Sequence, residues 1–197
     1  MTDKKTISVY DSQVENYLEV IEKQPIDEIL MNFISCFEEG DFILDLGCGP
    51  AISSATMREH GLRVDPTDAS MEMVKLANKT FDINARQALF EEIDGKDIYN
   101  GIWANFSLLH ATSEELPAIL KSLHTTLKDK GIIQLGMKIG EGSFRDKFDR
   151  YYSYYSEDEL RLYLKNAGFD VQHVMFGEAM GLAGEMEPWI ALKSIAV

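Results

Sequence analysis

A chain of 197 residues, 45% hydrophobic and 26% charged, has the length and composition of one globular domain with a full core. Its net charge of −14 argues against a nucleic-acid backbone or an anionic membrane as partner, because such binding runs on Lys and Arg neutralising phosphates. MTDKKTISVYDSQ lacks a leader's apolar centre, and no run reaches the roughly 18 residues of a spanning helix.

Cys36 and Cys48 form no CxxC pair, so a reducing cytoplasm is expected. His60, His110, His124 and His173 lack metal-ligand spacing, so no metal site is expected.

Helical patterns come first, over residues 10–22 and 25–38, the second with Pro25 in its first turn. A strand at 42–46 precedes a helix at 51–60, and a strand at 62–67 precedes a helix from Ser70 to 79. The stripe Met71, Val74 and Leu76 reads as core. Strands follow near 83–88 and at 99–106. Thr112 with Glu115 forms a capping box for a helix to Leu127, which KDKG closes before the strand GIIQLGMKI. Ser156 with Glu159 caps a helix ending at Gly168, and strands at 169–176 and 189–196 flank the loop MGLAGEMEP. This alternation predicts an α/β fold: a doubly wound, mostly parallel seven-stranded sheet, helices on both faces, and an antiparallel C-terminal strand.

The stretch DLGCGP, residues 45–50, follows the apolar run Phe42-Ile43-Leu44. Ligands of such sheets bind beyond the carboxyl strand ends, where the winding reverses. A dinucleotide fingerprint needs glycine at position 52, which is Ile52, and no Gly-Lys-Ser/Thr of a P-loop follows. Asp45 would repel a pyrophosphate but hold an ammonium. Asp68, ending the next strand, stands where a ribose diol is held. A nucleoside joined to a cationic amino-acid part satisfies both acids, and S-adenosylmethionine (SAM) is such a ligand.

FILDLGCGP resembles motif I of the class I SAM-dependent methyltransferases, of the small single-domain bacterial kind. VDPTDASMEMVKLA, YNGIWANFSLLHA and LHTTLKDKGIIQLGMK resemble the family's second-strand, fourth-strand and fifth-strand motifs. The resemblance implies a Rossmann-like methyltransferase fold and transfer of the SAM methyl to a small-molecule acceptor, with S-adenosylhomocysteine (SAH) as product. It places Asp45, Gly47, Cys48, Gly49 and Pro50 along the methionine part and Asp68 on the ribose. Ala69, Ser70 and Met73 would flank ribose and adenine, with Leu89 and Phe90 beside the base. Ala51 replaces the family's third glycine, and Leu89 replaces the acid that often receives the adenine amino group, leaving backbone groups or Glu91 for that task.

Asn105, ending the fourth strand, is a candidate cofactor contact. His110 is a candidate general base or substrate contact, because imidazole titrates near neutrality. Tyr10 and Tyr17, seven residues apart, share a helix face, and in related enzymes an N-terminal helix lids the site. Residues 1–40 are therefore expected to form a helical lid within the same domain as a methyltransferase unit at 41–197. RYYSYYS, at 150–156, places Tyr152 and its neighbours on the ligand side as an acceptor wall, with Tyr152 the second candidate catalytic residue. The partner expected is a small molecule, neither nucleic acid nor membrane, and the protein a monomer or homodimer. A non-catalytic SAM-binding or partner-binding domain is the alternative. An NAD-dependent oxidoreductase is disfavoured by Ile52 and Asp45.

Overall fold

The computed structural model describes residues 3–14, 16 and 28–197. Tyr17 and Pro25 lie outside the described residues, as does most of the helix expected over 10–22. Within them, α1 (Lys4–Ser12) starts earlier than expected, because Asp3 caps it by accepting the Thr6 amide at 3.0 Å. Helix α2 (Glu28–Ile34) ends four residues before its expected C-terminal end at 38.

The alternating part follows as β1 (Phe42–Leu46), α3 (Ile52–Glu59), β2 (Arg63–Asp68), α4 (Met71–Phe81), β3 (Arg86–Gln87) and β4 (Tyr99–Asn105). Next come α5 (Leu116–Thr126), β5 (Leu127–Lys138), a small hairpin of β6 (Ser143–Arg145) with β7 (Tyr151–Ser153), α6 (Glu157–Asn166), β8 (Phe169–Met180) and β9 (Met186–Ala196). The main sheet has seven strands in the order β3-β2-β1-β4-β5-β9-β8, and β9 runs antiparallel to both neighbours. The chain starts at β1, winds out to β3, then returns past β1 to β4, so the reversal falls between β1 and β4.

Local chemistry sets the helix starts. Ser70 caps α4 by accepting the Met73 amide at 3.1 Å, and Ser156 with Glu159 makes the reciprocal box of α6. Thr112 and Glu115 exchange the same two bonds, at 3.3 and 3.1 Å, with the regular helix beginning just after them.

Alternation within each strand divides the core. Leu44, Leu46, Ile102, Ala104, Ile133 and Leu135 face the leucines of α5 and α6. Ile43 and Trp103 face α2 and Met57 of α3, with Phe33 and Trp103 ring centroids 5.2 Å apart. Ala55, Val74 and Ala77 join α3 to α4. Each fully buried Leu or Ile contributes about 1.5–3 kcal/mol over leaving it in water. Of the expected α4 stripe only Val74 is buried; Met71 is exposed and Leu76 half-buried, while Met73 and Ala77 point inward. The true stripe follows the tilt of α4 on the sheet edge, which periodicity alone does not give.

Three further differences have physical causes. KDKG is a bulge inside β5, with Lys130 left-handed at φ 58° and the pairing jumping from Tyr99–Leu127 to Gly101–Ile132. The β8–β9 hairpin runs on to the pair Met180–Met186, past the last β5 pair, Lys138–Trp189. Met180 and Met186 at its tip are exposed, and its hydrophobic alternation is correspondingly weak. The β6–β7 hairpin has no alternation to announce it. Among the described residues no helix is long and apolar enough to cross a membrane, and Cys36 and Cys48 are free thiols.

Candidate functional site

The turn after β1 holds three left-handed residues, Gly47 (φ 76°), Gly49 (φ 53°) and Ala51 (φ 64°). Ala51 bears a strain of about 1 kcal/mol that glycine would avoid. Gly47 and Cys48 both donate their amides to the Thr67 carbonyl at 2.8 Å, and Gly49 donates to Asp68 Oδ2 at 2.8 Å. Asp68 Oδ1 accepts the Ser70 amide at 2.8 Å. The donors that would cradle a phosphate are thus spent inside the fold, and the carboxylate that receives one of them makes the site anionic.

A cleft opens at this point, its space of about 610 Å³ including the solvent at its mouth. Its floor is Gly47, Gly49, Asp68, Ala69, Ser70 and Met73, and its far wall is Phe90, Phe106, Ser107 and His110. Its roof is Asp3, Thr6, Ile7 and Tyr10, the i, i+3, i+4, i+7 spacing of one face of α1 and its cap. No lysine or arginine is among these lining residues.

Six expected contacts, Asp45, Cys48, Pro50, Leu89, Asn105 and Tyr152, are not among the residues that line the cleft. Asp45, 2% exposed, turns under the glycine turn and accepts the Ser54 hydroxyl at 2.5 Å. Cys48 is buried beside it, its thiol pushed up by burial and by the fields of Asp45 and Asp68. Leu89 donates its amide to Glu92. Asn105 packs onto β5, where its Oδ1 would lie 2.1 Å from a Cβ at Gly136. Tyr152 is buried behind His110, ring centroids 4.6 Å apart, so it backs the wall rather than forming it. In each case the register of the backbone, unreadable in one sequence, decides which way the side chain turns.

Helix α1 is tied down on both sides of the cleft. Toward α4, Asp11 accepts the Ser70 hydroxyl at 2.6 Å. Toward the β6–β7 hairpin, Arg145 makes two 3.0 Å bonds to Asp3, and the Tyr151 amide donates to Thr6 Oγ1 at 2.8 Å. Arg145 holds the Asp3 carboxyl well below the usual range. In the centre, His110 Nδ1 stands 2.6 Å from the Tyr151 carbonyl, which fixes the proton on that nitrogen. Nε2 therefore accepts from the Tyr10 hydroxyl at 2.9 Å, and Tyr10 in turn accepts from Arg150 at 3.0 Å. Burial, helped by the charges of Arg150 and Lys138, lowers the His110 pKa to about 4. The imidazole is neutral at pH 7, its lone pair already engaged.

Asp3, Thr6, Ile7, Phe106 and Ser107 line the cleft without having been expected. For α1 the signal was present in the 3, 6, 7, 10 spacing. Phe106 gave none: an aromatic residue at φ 58° has no sequence signature.

Gly47 tests the turn directly. A Cβ there would lie 2.4 Å from Ser107 Cβ, at a left-handed φ. Gly47→Ala is expected to cost about 2–4 kcal/mol in denaturant unfolding, strain and overlap together. Gly40→Ala, also left-handed but with nothing within 4 Å, should cost about 1 kcal/mol. Equal losses would show that the approach of Ser107 contributes nothing.

Sheet order, a cleft at the switch point and a glycine turn after β1 are together those of the Rossmann-like SAM-dependent methyltransferases. The family model described as a methyltransferase domain matches residues 17–174, and the chain belongs to that family. Among curated proteins, an uncharacterized methyltransferase of Staphylococcus carnosus is 23% identical over 125 residues, 63% of this chain and 60% of the relative. The match therefore spans less than two thirds of that relative. Among solved structures, 1,6-didemethyltoxoflavin-N1-methyltransferase of Burkholderia thailandensis, with 1,6-didemethyltoxoflavin and SAH bound, is similar at TM-score 0.79 and 19% identity, covering 98% of this chain and 88% of that one. Magnesium protoporphyrin IX methyltransferase of Synechocystis, with bound SAH, is similar at TM-score 0.74 and 16% identity, covering 99% and 100%. At these identities the likeness to solved structures is one of fold.

Proposed function

We propose that the protein transfers the methyl group of SAM to a small molecule that carries no negative charge. The observation that carries this reading is the glycine turn, whose amides are consumed by Thr67 and Asp68 and beside which Asp68 lines the cleft. SAM, when bound, supplies a sulfonium methyl that the acceptor's nucleophile takes by in-line displacement, leaving SAH.

The chain's own residues bind and align. Asp68 holds the ribose diol; Gly47 and Gly49 flank the methionine part; Ala69, Ser70, Met73 and Phe90 enclose ribose and base. Asp45 adds negative field from beneath, and Cys48, Leu89 and Asn105 support the turn and the wall from behind. Helix α1, the described part of the proposed 1–40 lid on the 41–197 unit, excludes water through Tyr10. His110, neutral and already bonded, serves as an oriented polar wall backed by Tyr152, and alignment rather than proton abstraction gives most of the rate. The absence of cationic side chains from the lining residues disfavours an anionic acceptor, and the net charge of −14 disfavours nucleic acid. A cytoplasmic monomer or homodimer is consistent with this reading.

Calorimetry with SAM, SAH and NAD, followed by SAH release assays on a panel of aromatic and heterocyclic acceptors, tests it. Binding of SAM and SAH but not NAD, with SAH released on adding an acceptor, is expected. NAD binding without SAM binding would overturn the proposal; SAM binding without turnover on any acceptor would point to a binding domain.

A further inference from the structure

Helix α1 meets the cleft wall through a string of hydrogen bonds whose protons are all placed. The Tyr10 oxygen accepts from the Arg150 guanidinium at 3.0 Å and is also bonded by the Tyr152 side chain, so both of its lone pairs are occupied. Its own hydrogen therefore goes to His110 Nε2, 2.9 Å away. His110 Nδ1 donates to the Tyr151 carbonyl at 2.6 Å, which leaves Nε2 bare to receive it. The string fits one protonation state alone. A proton on Nε2 would set donor against donor at the point where the helix rests.

The charges around the imidazole weigh the same way. Arg150 of the hairpin and Lys138 at the end of β5 disfavour a second positive charge there, while Asp146 offsets part of this. Both cations are themselves paired, Arg150 with Asp146 and Lys138 with Glu187 of β9. The remaining ties of α1 do not titrate near neutrality: Arg145 holds Asp3 ionised, and Thr6 with the Tyr151 amide carries no charge.

We propose that α1 is a pH-gated cover, which docks on the neutral His110 and is released when Nε2 takes a proton. In its seat the ring has a pKa of about 4, and in water it returns to the ordinary 6.5. Docking is therefore at full strength above pH 6.5 and weakens about tenfold per unit below it, down to about pH 4. Asp68, across the cleft, acts in the opposite sense: it is repelled by Asp11 of α1, and acid relieves that repulsion. The consequence for methyl transfer, faster exchange of SAH for SAM at mild acidity, rests on the reading of the cleft as a SAM site. The docking of α1 does not.

Hydrogen exchange in the ligand-free protein, read by mass spectrometry on α1, tests this. A helix of 9 residues is unstable by itself, so its amides exchange whenever it leaves the seat. Corrected for intrinsic chemistry, their protection in the wild type should be about tenfold lower at pH 5.5 than at pH 7.5. In His110→Gln, whose side chain takes up no proton, that difference should vanish. A merely structural role for His110 would lower protection at both pH values and keep the difference. Should the variant leave α1 undocked throughout, NMR titration of His110 in the wild type decides. A midpoint clearly below 6.5 supports the gate, and one at 6.5 or above overturns it. Equal protection at the two pH values in the wild type overturns it, as does a tenfold difference that persists in His110→Gln. Failure of the wild type to bind SAH would instead remove the cofactor reading and leave the gating of α1 standing.

Discussion

Asp68→Asn is expected to weaken SAM binding by roughly ten- to a hundredfold, the equivalent of about 1.5–3 kcal/mol for hydrogen bonds to a charged group. The carboxylate is buried between two amides, one from Gly49 and one from Ser70, each taking one lone pair of a different oxygen at 2.8 Å. One lone pair on each oxygen remains for a diol. Asparagine replaces one acceptor with a donor facing an amide, which loses the diol bond and also costs the turn about 1–3 kcal/mol. Melting curves without ligand measure the second effect and calorimetry the first.

The same carboxylate gives a pH signature. Burial raises the Asp68 pKa to about 6, with the Ser70 and Gly49 amides lowering it and the charge of Asp11 adding to the rise. Burial also raises Asp45 to about 7, against the bond from Ser54 and with the repulsion of Asp68. Both acids hold protons more tightly folded than unfolded, where the value is 3.8. Stability of the ligand-free protein should therefore fall as pH rises from about 4 to 7, then level off. Hydroxyl groups of the ribose donating to Asp68 favour its ionised form, so SAM affinity should move the opposite way, rising about tenfold between pH 5 and 7. Calorimetric dissociation constants at several pH values check this. A flat profile for the wild type would remove Asp68 from contact with the ligand.

Arg150→Met should lose about 3–5 kcal/mol of stability, the cost of stranding a buried partner charge. The Arg150 side chain is 3% exposed and pairs with Asp146 at 2.6 Å. It also donates to Tyr10 and lies over the Tyr10 and Tyr152 rings, at 5.3 and 5.2 Å. Burial pushes the Asp146 carboxyl up, but the Arg150 bonds outweigh it and the group stays ionised. Domains of this size have total stabilities of about 5–15 kcal/mol, so the loss is a large fraction. Urea unfolding measures it, and the double variant with Asp146→Leu should recover part. Freed of Arg150, the Tyr10–His110 contact loosens, and SAH should leave the cleft faster in stopped-flow measurements. A variant within 1 kcal/mol of the wild type that holds SAH as long would show that the latch lies elsewhere.

The contrast between Asp68 and Asp45 marks where sequence reading stops. Asp45 stands one residue before the end of β1 and Asp68 ends β2, each ahead of a glycine turn or a cap, so position alone treats them alike. What the sequence by itself determined was the alternation of strands and helices, the caps at Ser70, Thr112 and Ser156, and a glycine turn unsuited to phosphate. These depend on bonds a few residues long or on a periodicity that sets which face is buried. Tertiary structure alone decided that Asp45 turns under the turn toward Ser54 while Asp68 reaches the cleft. It also decided that Tyr152 lies behind His110, that Phe106 is left-handed, and that Ser107 meets Gly47. The latch of α1 belongs there too: Asp3 with Arg145, Thr6 with Tyr151 and Tyr10 with Arg150 join residues about 140 positions apart. Such pairs leave no periodic trace, because the spacing along the chain that brings them together is set by the winding of the whole sheet.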